Sequence, residues 1–441
     1  MILPSLLHQD LRYGWVSGSN VRGTRDILVS SFGTIWLCTW TCLCLNIPTQ
    51  HVRDRRHRWL LHKFRWQLFA IFFPEVLVAT AAEQWLSARQ SARAFARLGY
   101  PQWTIRHAFF ADMGGIVVAP PDFPPFPVDS QQLAYLVENG YLELPDISTD
   151  DIRSLNKADG LARLVTLAQM AWYCLSCTAR GVSGLAFCSL EVTTLAYILC
   201  TVHTFFFWYY KPLDPEAQRV FALNTGMVEI CERSGRVGRD HLHTYTHTPL
   251  DFVKPLPDPK SLITPFWFGL GAVLRPWATP RRRLKGKLRS PAKTMANSRI
   301  LPQDGVSTPL MVYTLVFQIV YFALHVCFSW ISSFPSNVEW YLWIASNATD
   351  FGLIATYVLA IPLGTYFAPF LGRWLFDMEA THLLQVATAL PGWAKLLIHG
   401  PFVLGYVVAR AAVLVESVMS LRAAADSVYQ DVSWTSFLPH V

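Results

Sequence analysis

The chain has 441 residues, of which 52% are hydrophobic and only 15% charged, with a formal net charge of +7. A mean hydropathy of +0.28 with 17 Trp, 28 Phe and 16 Tyr excludes a disordered or collagenous chain, and nine cysteines lying mostly in apolar runs exclude a disulfide scaffold. The positive charge gathers in short stretches beside apolar segments, which is how topogenic signals are written, so the expected partner is a lipid bilayer and not nucleic acid.

Residues 1–26 hold Asp10, Arg12, Arg22 and Arg25 without a continuous apolar core, so they read as an extracytosolic amino terminus and not as a cleavable leader. A membrane helix needs roughly 20 mostly apolar residues to cross about 30 Å of hydrocarbon. Six stretches fit: 27–47, 161–179, 189–210, 310–330, 351–371 and 396–416. The expected fold is all-α, a polytopic transmembrane helix bundle with a small helical cytosolic module. The stretch 66–85 is also long enough, but it contains Pro74, Glu75 and Glu83 and has basic flanks on both sides, so it reads as re-entrant or interfacial. If it crosses, 105–118 crosses back and the count becomes eight.

Within 48–160, Leu133, Leu136 and Val137 recur at helical spacing, Gly140 can end that helix, and Ser148-Thr149-Asp150-Asp151 resembles a capped start. This predicts a helical hairpin at the cytosolic face. Residues 161–210 form a two-span hairpin, and 211–309 a Pro/Arg-rich cytosolic loop, irregular around a short interfacial helix near 262–274. Residues 310–416 carry three spans and 417–441 a tail. Orientation follows from Arg53, Arg55, Arg56, Arg58, Lys63 and Arg65 after the first span, and from Arg281, Arg282, Arg283, Lys285, Lys287, Arg289 and Lys293 in the long loop. Residues 331–350 have no Lys or Arg and carry the sequon Asn347-Ala348-Thr349, a glycosylation acceptor if that face is extracytosolic.

Ionisable groups inside hydrocarbon are costly and usually face a cavity or one another. Arg180, Glu191, Arg410 and Glu416 are such groups. They either line one polar pocket between helices or, at span ends, reach the interface; Arg410 lies deepest. His107 and Asp112, beside Gly114-Gly115, suggest a proton-transfer pair at the cytosolic interface, against the plainer reading of a tightly packed turn. His241, His243 and His247 have a spacing a metal accepts but no second carboxylate at defined spacing, so no metal site is assigned. Cys174 and Cys177 pack as small apolar groups, and Asp146, Asp150, Asp151 and Asp159 do not form a diphosphate-binding pattern. No P-loop, HExxH, GxSxG or GxGxxG is present, which removes most support for ATP-driven transport and serine hydrolysis and names no cofactor.

Several passages are Arg22-Gly23-Thr24 with Asp26, the run from His107 through Gly115, Lys157, Gln169, Arg180, Leu190-Glu191, Lys211-Pro212-Leu213, Arg410, Glu416, Ser420-Leu421-Arg422 and Trp434 through Leu438-Pro439-His440. Together they resemble a widespread group of fungal multi-pass membrane proteins, mostly uncharacterised. The group's charge before Lys157 is replaced here by Leu155-Asn156. The resemblance implies topology and source and brings no activity. Three functions are therefore expected in order. The first is a membrane-embedded enzyme or accessory factor acting on an apolar, terpenoid- or polyketide-like substrate in fungal natural-product metabolism, with His107, Asp112, Glu75 and Arg410 as its catalytic candidates. The second is a transporter or channel for a small metabolite. The third is a non-catalytic scaffold whose Arg-rich loop binds anionic lipid. The location is a membrane, either the endoplasmic reticulum or the plasma membrane.

Overall fold

The computed structural model describes residues 11–18, 22–49, 52, 54–154, 159–215, 217–238, 240–253, 261, 263–275, 290–301, 308–330, 332 and 334–432. The basic run 281–289, Arg53, residues 155–157, Pro255, Pro257, Pro259 and the passage 434–440 lie outside the described residues. The protein is mostly helical. In chain order come β1 (Leu11–Tyr13), α1 (Thr24–Thr41), α2 (Arg56–Phe72), α3 (Pro74–Arg97), α4 (Ile105–Asp112), β2 (Ile116–Ala119), β3 (Phe126–Pro127), α5 (Ser130–Glu138), α6 (Thr149–Ser154), α7 (Asp159–Val182) and α8 (Ser189–Phe207). These are followed by β4 (Arg219–Ala222), α9 (Met227–Arg233), α10 (His241–Thr244), α11 (Thr264–Leu274), α12 (Thr308–Ser329), α13 (Asn337–Phe376), α14 (Leu383–Ala389), α15 (Gly392–Met419) and β5 (Ala423–Ala425).

Each of the six expected spans overlaps one helix, although 27–47 runs six residues past the end of α1 at Thr41 and 189–210 three past the end of α8 at Phe207, and not all are equally apolar. Among the described residues, α8, Pro309–Ser329 within α12, and Gly392–Arg422, which is α15 with the turn after it, are long and apolar enough to cross a membrane. The other expected spans lie in α1, α7 and α13. Ser30, Ser31 and Thr34 on α1, and Thr166, Gln169 and Ser176 on α7, dilute the apolar character of those two. The α2–α3 pair meets the same test taken together but bends by 107° at Phe73. The cause is local. Pro74 has no N–H to continue the ladder of α2 and forces Phe73 out of the helical region, to φ −130° and ψ 52°.

The structure corrects the sequence reading in two places. Residues 331–350 were expected as a connecting loop, yet α13 starts at Asn337, capped by Ser336 Oγ accepting from the Glu339 N–H, and continues unbroken to Phe376. The module expected to be helical is not purely so either. β2 pairs antiparallel with β3 and parallel with β4, so part of the 211–309 loop expected to be irregular completes a three-stranded sheet. The β-branched run Ile116-Val117-Val118 favours a pleated, buried strand.

That sheet and the expected hairpin, α5 and α6, share one core. Phe110, Ile116, Val118, Phe126, Leu133 and Leu136 pack there with Met227, Ile230 and Leu250 from the later loop. Gly140 sits at φ +71° just after α5, as a helix stop requires. The module is tied to the bundle by the segment 295–301: Asn46 Nδ2 donates to the Ala296 carbonyl (2.9 Å), and Gln84 Nε2 to those of Asn297 (3.0 Å) and Arg299 (3.2 Å). On α3, Glu83 accepts from Ser261 Oγ and from the Ile263 N–H (3.1 Å), fixing the start of α11. At the other end of the chain β1 pairs antiparallel with β5, Leu11 opposite Ala425 and Tyr13 opposite Ala423.

Candidate functional site

Pro74 sets the geometry of the site, because it starts α3 beside the bend and so places Glu75 in the first turn, where the helix dipole favours a carboxylate. Phe73 stacks on Tyr406 of α15 with ring centroids 5.0 Å apart, holding the bend against that helix. Tyr406 and Arg410 are four residues apart and share a face. Arg410, with 0% exposure, ion-pairs with Glu75 and brings its Nε to 3.4 Å from Asp350 Oδ2 on α13. Its Nη1 donates to the Tyr321 hydroxyl on α12 (2.6 Å) and its Nη2 to the Tyr406 hydroxyl (3.0 Å), which in turn donates to Glu75 Oε2 (2.9 Å). Four helices thus deliver two carboxylates and two phenols to one guanidinium.

The cluster has unused hydrogen-bonding capacity. Neither oxygen of Asp350 has a hydrogen-bond partner among the described residues, nor has His325 Nε2, whose ring donates from Nδ1 to the Tyr321 carbonyl (3.0 Å). Next to Glu75 lies a cavity of about 30 Å³, room for one water, walled by Ala79, Phe266, Phe317, Tyr313 and Tyr357. The hydroxyls of both tyrosines also lack partners there among the described residues. Buried polar atoms without partners are uncommon and call for a ligand, a proton or water.

The remaining candidates are placed elsewhere. Arg180 and Glu191 do meet, Nε to Oε1 at 3.6 Å, but at the far end of α7 and α8, with Arg22 on the same Oε1 at 2.7 Å. Arg180 also donates to the carbonyls of Ala186 (2.8 Å), Val428 (3.1 Å) and Gln430 (2.9 Å), tying down the segment after β5. Glu416 stands apart from both groups, beside Glu339 and Arg422, which pair with each other. The single pocket of Arg180, Glu191, Arg410 and Glu416 is therefore three separate places, because the four residues lie at different heights and on different faces.

His107 and Asp112 are not partners. His107 Nδ1 accepts from the Thr104 N–H (3.1 Å), and its Nε2 donates to the Ile147 carbonyl (2.8 Å); burial lowers its pKa. Asp112 accepts from the Ser130 N–H (2.8 Å). Burial, then nearby Asp129, pushes the Asp112 carboxyl up to about 7. Asp129 itself pairs with Arg299 at 2.5 Å. Lys211, brought down to about 8 by burial, donates to Gln84 Oε1 (2.9 Å) and lines a small polar cavity with Asp112, Asn46, Ser87 and Arg299. Gly114 takes φ +83°, and Gly115 lies where a Cβ would come within 2.5 Å of the Phe110 ring, so the glycine pair serves close packing.

Asn347 is 3% exposed, three turns into α13, with its Nδ2 donating to the Trp343 carbonyl (2.9 Å). The fold leaves no room for a glycan there. Asp350, Tyr321 and Tyr406 escaped the sequence reading: Asp350 was assigned to a loop end, and the two tyrosines look like ordinary span aromatics. The i, i+4 pair Tyr406/Arg410 was the available signal. Among the described residues no three of His, Cys, Asp and Glu gather to hold a metal, and His241 Nε2 is occupied by the Pro249 carbonyl (2.8 Å).

The chain belongs to a family of unknown function, DUF8562, whose model matches residues 4–231. That span contains Glu75, His107, Asp112, Arg180 and Glu191, while Asp350 and Arg410 lie beyond it. No curated protein and no solved structure matches the chain.

Proposed function

We propose that the protein is a multi-pass integral membrane protein of six spans, α1, α7, α8, α12, α13 and α15, with the α2–α3 elbow re-entering between them. We further propose that Glu75, Arg410 and Asp350 form an acid–base site for an apolar small molecule that lies against the bundle and inserts only its one polar group, in place of a water, into the cavity beside Glu75. The carrying observation is that two buried carboxylates share a single guanidinium beside an apolar-walled cavity. In a low-dielectric interior one guanidinium balances one carboxylate, and a proton or a polar substrate group neutralises the other. Glu75 faces the cavity and exchanges the proton; Arg410 and Tyr406 position it. His107 and Asp112 stay outside this site because they lie in the module and serve its packing. The resemblance to fungal membrane proteins is what suggests a terpenoid- or polyketide-like substrate.

The test is native mass spectrometry of the full-length protein purified from producing cells, compared with Glu75→Gln and Ala79→Phe. The wild type should carry an apolar molecule that Ala79→Phe lacks, and Glu75→Gln should retain it in an unconverted form. Identical apolar contents in all three would overturn the reading. A second reading, a proton-coupled carrier, draws on the same uncompensated carboxylate. It requires flux into proteoliposomes that follows an imposed pH gradient and stops in Asp350→Asn.

A further inference from the structure

A larger and more polar cavity lies away from the Glu75 site, between α1 and α7. It has a volume of about 350 Å³ and is open along one side. On α7 its wall runs through Gln169, Trp172, Tyr173, Ser176, Cys177 and Arg180, residues at helical spacing on one face. The eleven rises of about 1.5 Å from Gln169 to Arg180 make the crevice roughly 16 Å long. On the α1 side the wall is Arg22, just before the helix, then Asp26 and Ser30, four residues apart in turn, and Asp431 and Val432 from the carboxy-terminal segment lie at the mouth.

The chemistry changes in order along its length. Asp26 and Asp431 are exposed at the mouth. Level with them is Arg22, one turn before Asp26 in the chain and largely buried, with Nη2 on Glu191 (2.7 Å) and Nη1 donating to the Val428 carbonyl (3.5 Å). Deeper still come the hydroxyls of Ser30 and Ser176. At the bottom stand Gln169 and the Trp172 indole, which is 56% exposed, next to the exposed apolar flank of Leu164, Leu167 and Leu175. Arg180 adds a buried Nε without a hydrogen-bond partner among the described residues.

We infer that this crevice binds the headgroup of a zwitterionic phospholipid. Its ammonium meets Asp26 and Asp431, its phosphate Arg22 and its glycerol region the serine hydroxyls, while the acyl chains leave past Trp172 along the apolar flank. The order of charged groups of both signs, then hydroxyls, then indole follows the order of headgroup, glycerol and acyl chain in a lipid standing in one leaflet. Arginine forks suit phosphate, and paired carboxylates with a nearby aromatic face suit an alkylammonium. Charges of both signs at the mouth favour a zwitterion over a simple anion. The inference rests on α1 and α7 standing in the membrane, and it is independent of the chemistry at Glu75, so either site can fail alone.

The experiment titrates detergent-purified full-length protein with dioleoylphosphatidylcholine, dioleoylphosphatidylglycerol and soluble glycerophosphocholine, read by native mass spectrometry. Dioleoylphosphatidylcholine should bind at least 10-fold tighter than either of the others. Asp431→Lys, at an exposed position, should weaken phosphatidylcholine and strengthen phosphatidylglycerol. Ser176→Trp, which fills the crevice, should abolish binding, and Trp172→Ala, which removes an exposed side chain without opening a core, should weaken it about 10-fold. Equal binding of the two lipids, glycerophosphocholine binding as tightly as the lipid, or wild-type affinity in both Asp431→Lys and Trp172→Ala would overturn the assignment.

Discussion

Replacing Arg410 by Met removes the one positive charge from the Glu75 cluster while keeping much of its volume. Breaking a buried pair by deleting one partner typically costs about 3–5 kcal/mol, because the remaining charge is stranded. Here two carboxylates are stranded, together with the hydroxyl of Tyr321, while Tyr406 keeps its bond to Glu75. The cost is bounded, since a stranded carboxylate is relieved by taking a proton. At pH 7 that costs about 4 kcal/mol for a Glu of ordinary value near 4.3, and at pH 5 only about 1 kcal/mol. Arg410→Met should therefore lose at least ~3 kcal/mol at pH 7 and visibly less at pH 5. Adding Glu75→Gln and Asp350→Asn should restore most of it, with a coupling of at least ~2 kcal/mol in the cycle. Thermal unfolding in a mild detergent, followed by circular dichroism at both pH values, reads this out. Strictly additive substitutions, or a pH-independent loss, would refute the idea that the three side chains form one charge-balanced unit.

Asp112 carries a folded-state pKa of about 7, above the ordinary aspartate value. As pH rises from about 4, the unfolded chain ionises first while the folded one holds its proton, so this group destabilises progressively until about pH 7. Asp112→Asn should gain stability relative to wild type as pH goes from 5 to 8; a gap in melting temperature that stays constant would count against it. Gly115→Ala should cost about 1–3 kcal/mol by driving a methyl into the Phe110 ring, checked by the same melts, and an unchanged midpoint would contradict the packing described. Glycosidase treatment should leave the electrophoretic mobility of the protein unchanged if Asn347 is its only sequon tested, by comparison with Asn347→Gln.

What the sequence made legible was set by local physics. Apolar length marked the three helices long and apolar enough to cross, Gly140 and Ser148–Asp151 bounded α5 and α6, and Pro74 flagged 66–85 as an unusual segment, though not as two helices meeting at a bend. Arg410 stood out for its depth, and Glu75 for its place beside that proline. What escaped depends on partners distant in sequence. Arg219–Ala222 becomes a strand only because Ile116–Ala119 lies alongside it, a hundred residues earlier. Asp350 looks like a loop residue until α13 is seen to run through it. The separation of Arg180, Glu191, Arg410 and Glu416 into three places is a matter of helix height and rotation, which hydropathy does not encode. His107 and Asp112, adjacent on paper, are five residues apart on a short helix and so point to different neighbours.

The pairing of β1 with β5 imposes a parity. Two strands that exchange backbone hydrogen bonds must occupy the same compartment, so the polypeptide between Tyr13 and Ala423 traverses any bilayer an even number of times. The three helices long and apolar enough to cross therefore cannot be the whole complement of crossings. Either the elbow at Phe73 passes through as a fourth, or an odd number of further helices joins them, and epitopes inserted beside Tyr13 and beside Ala423 answer to the same side.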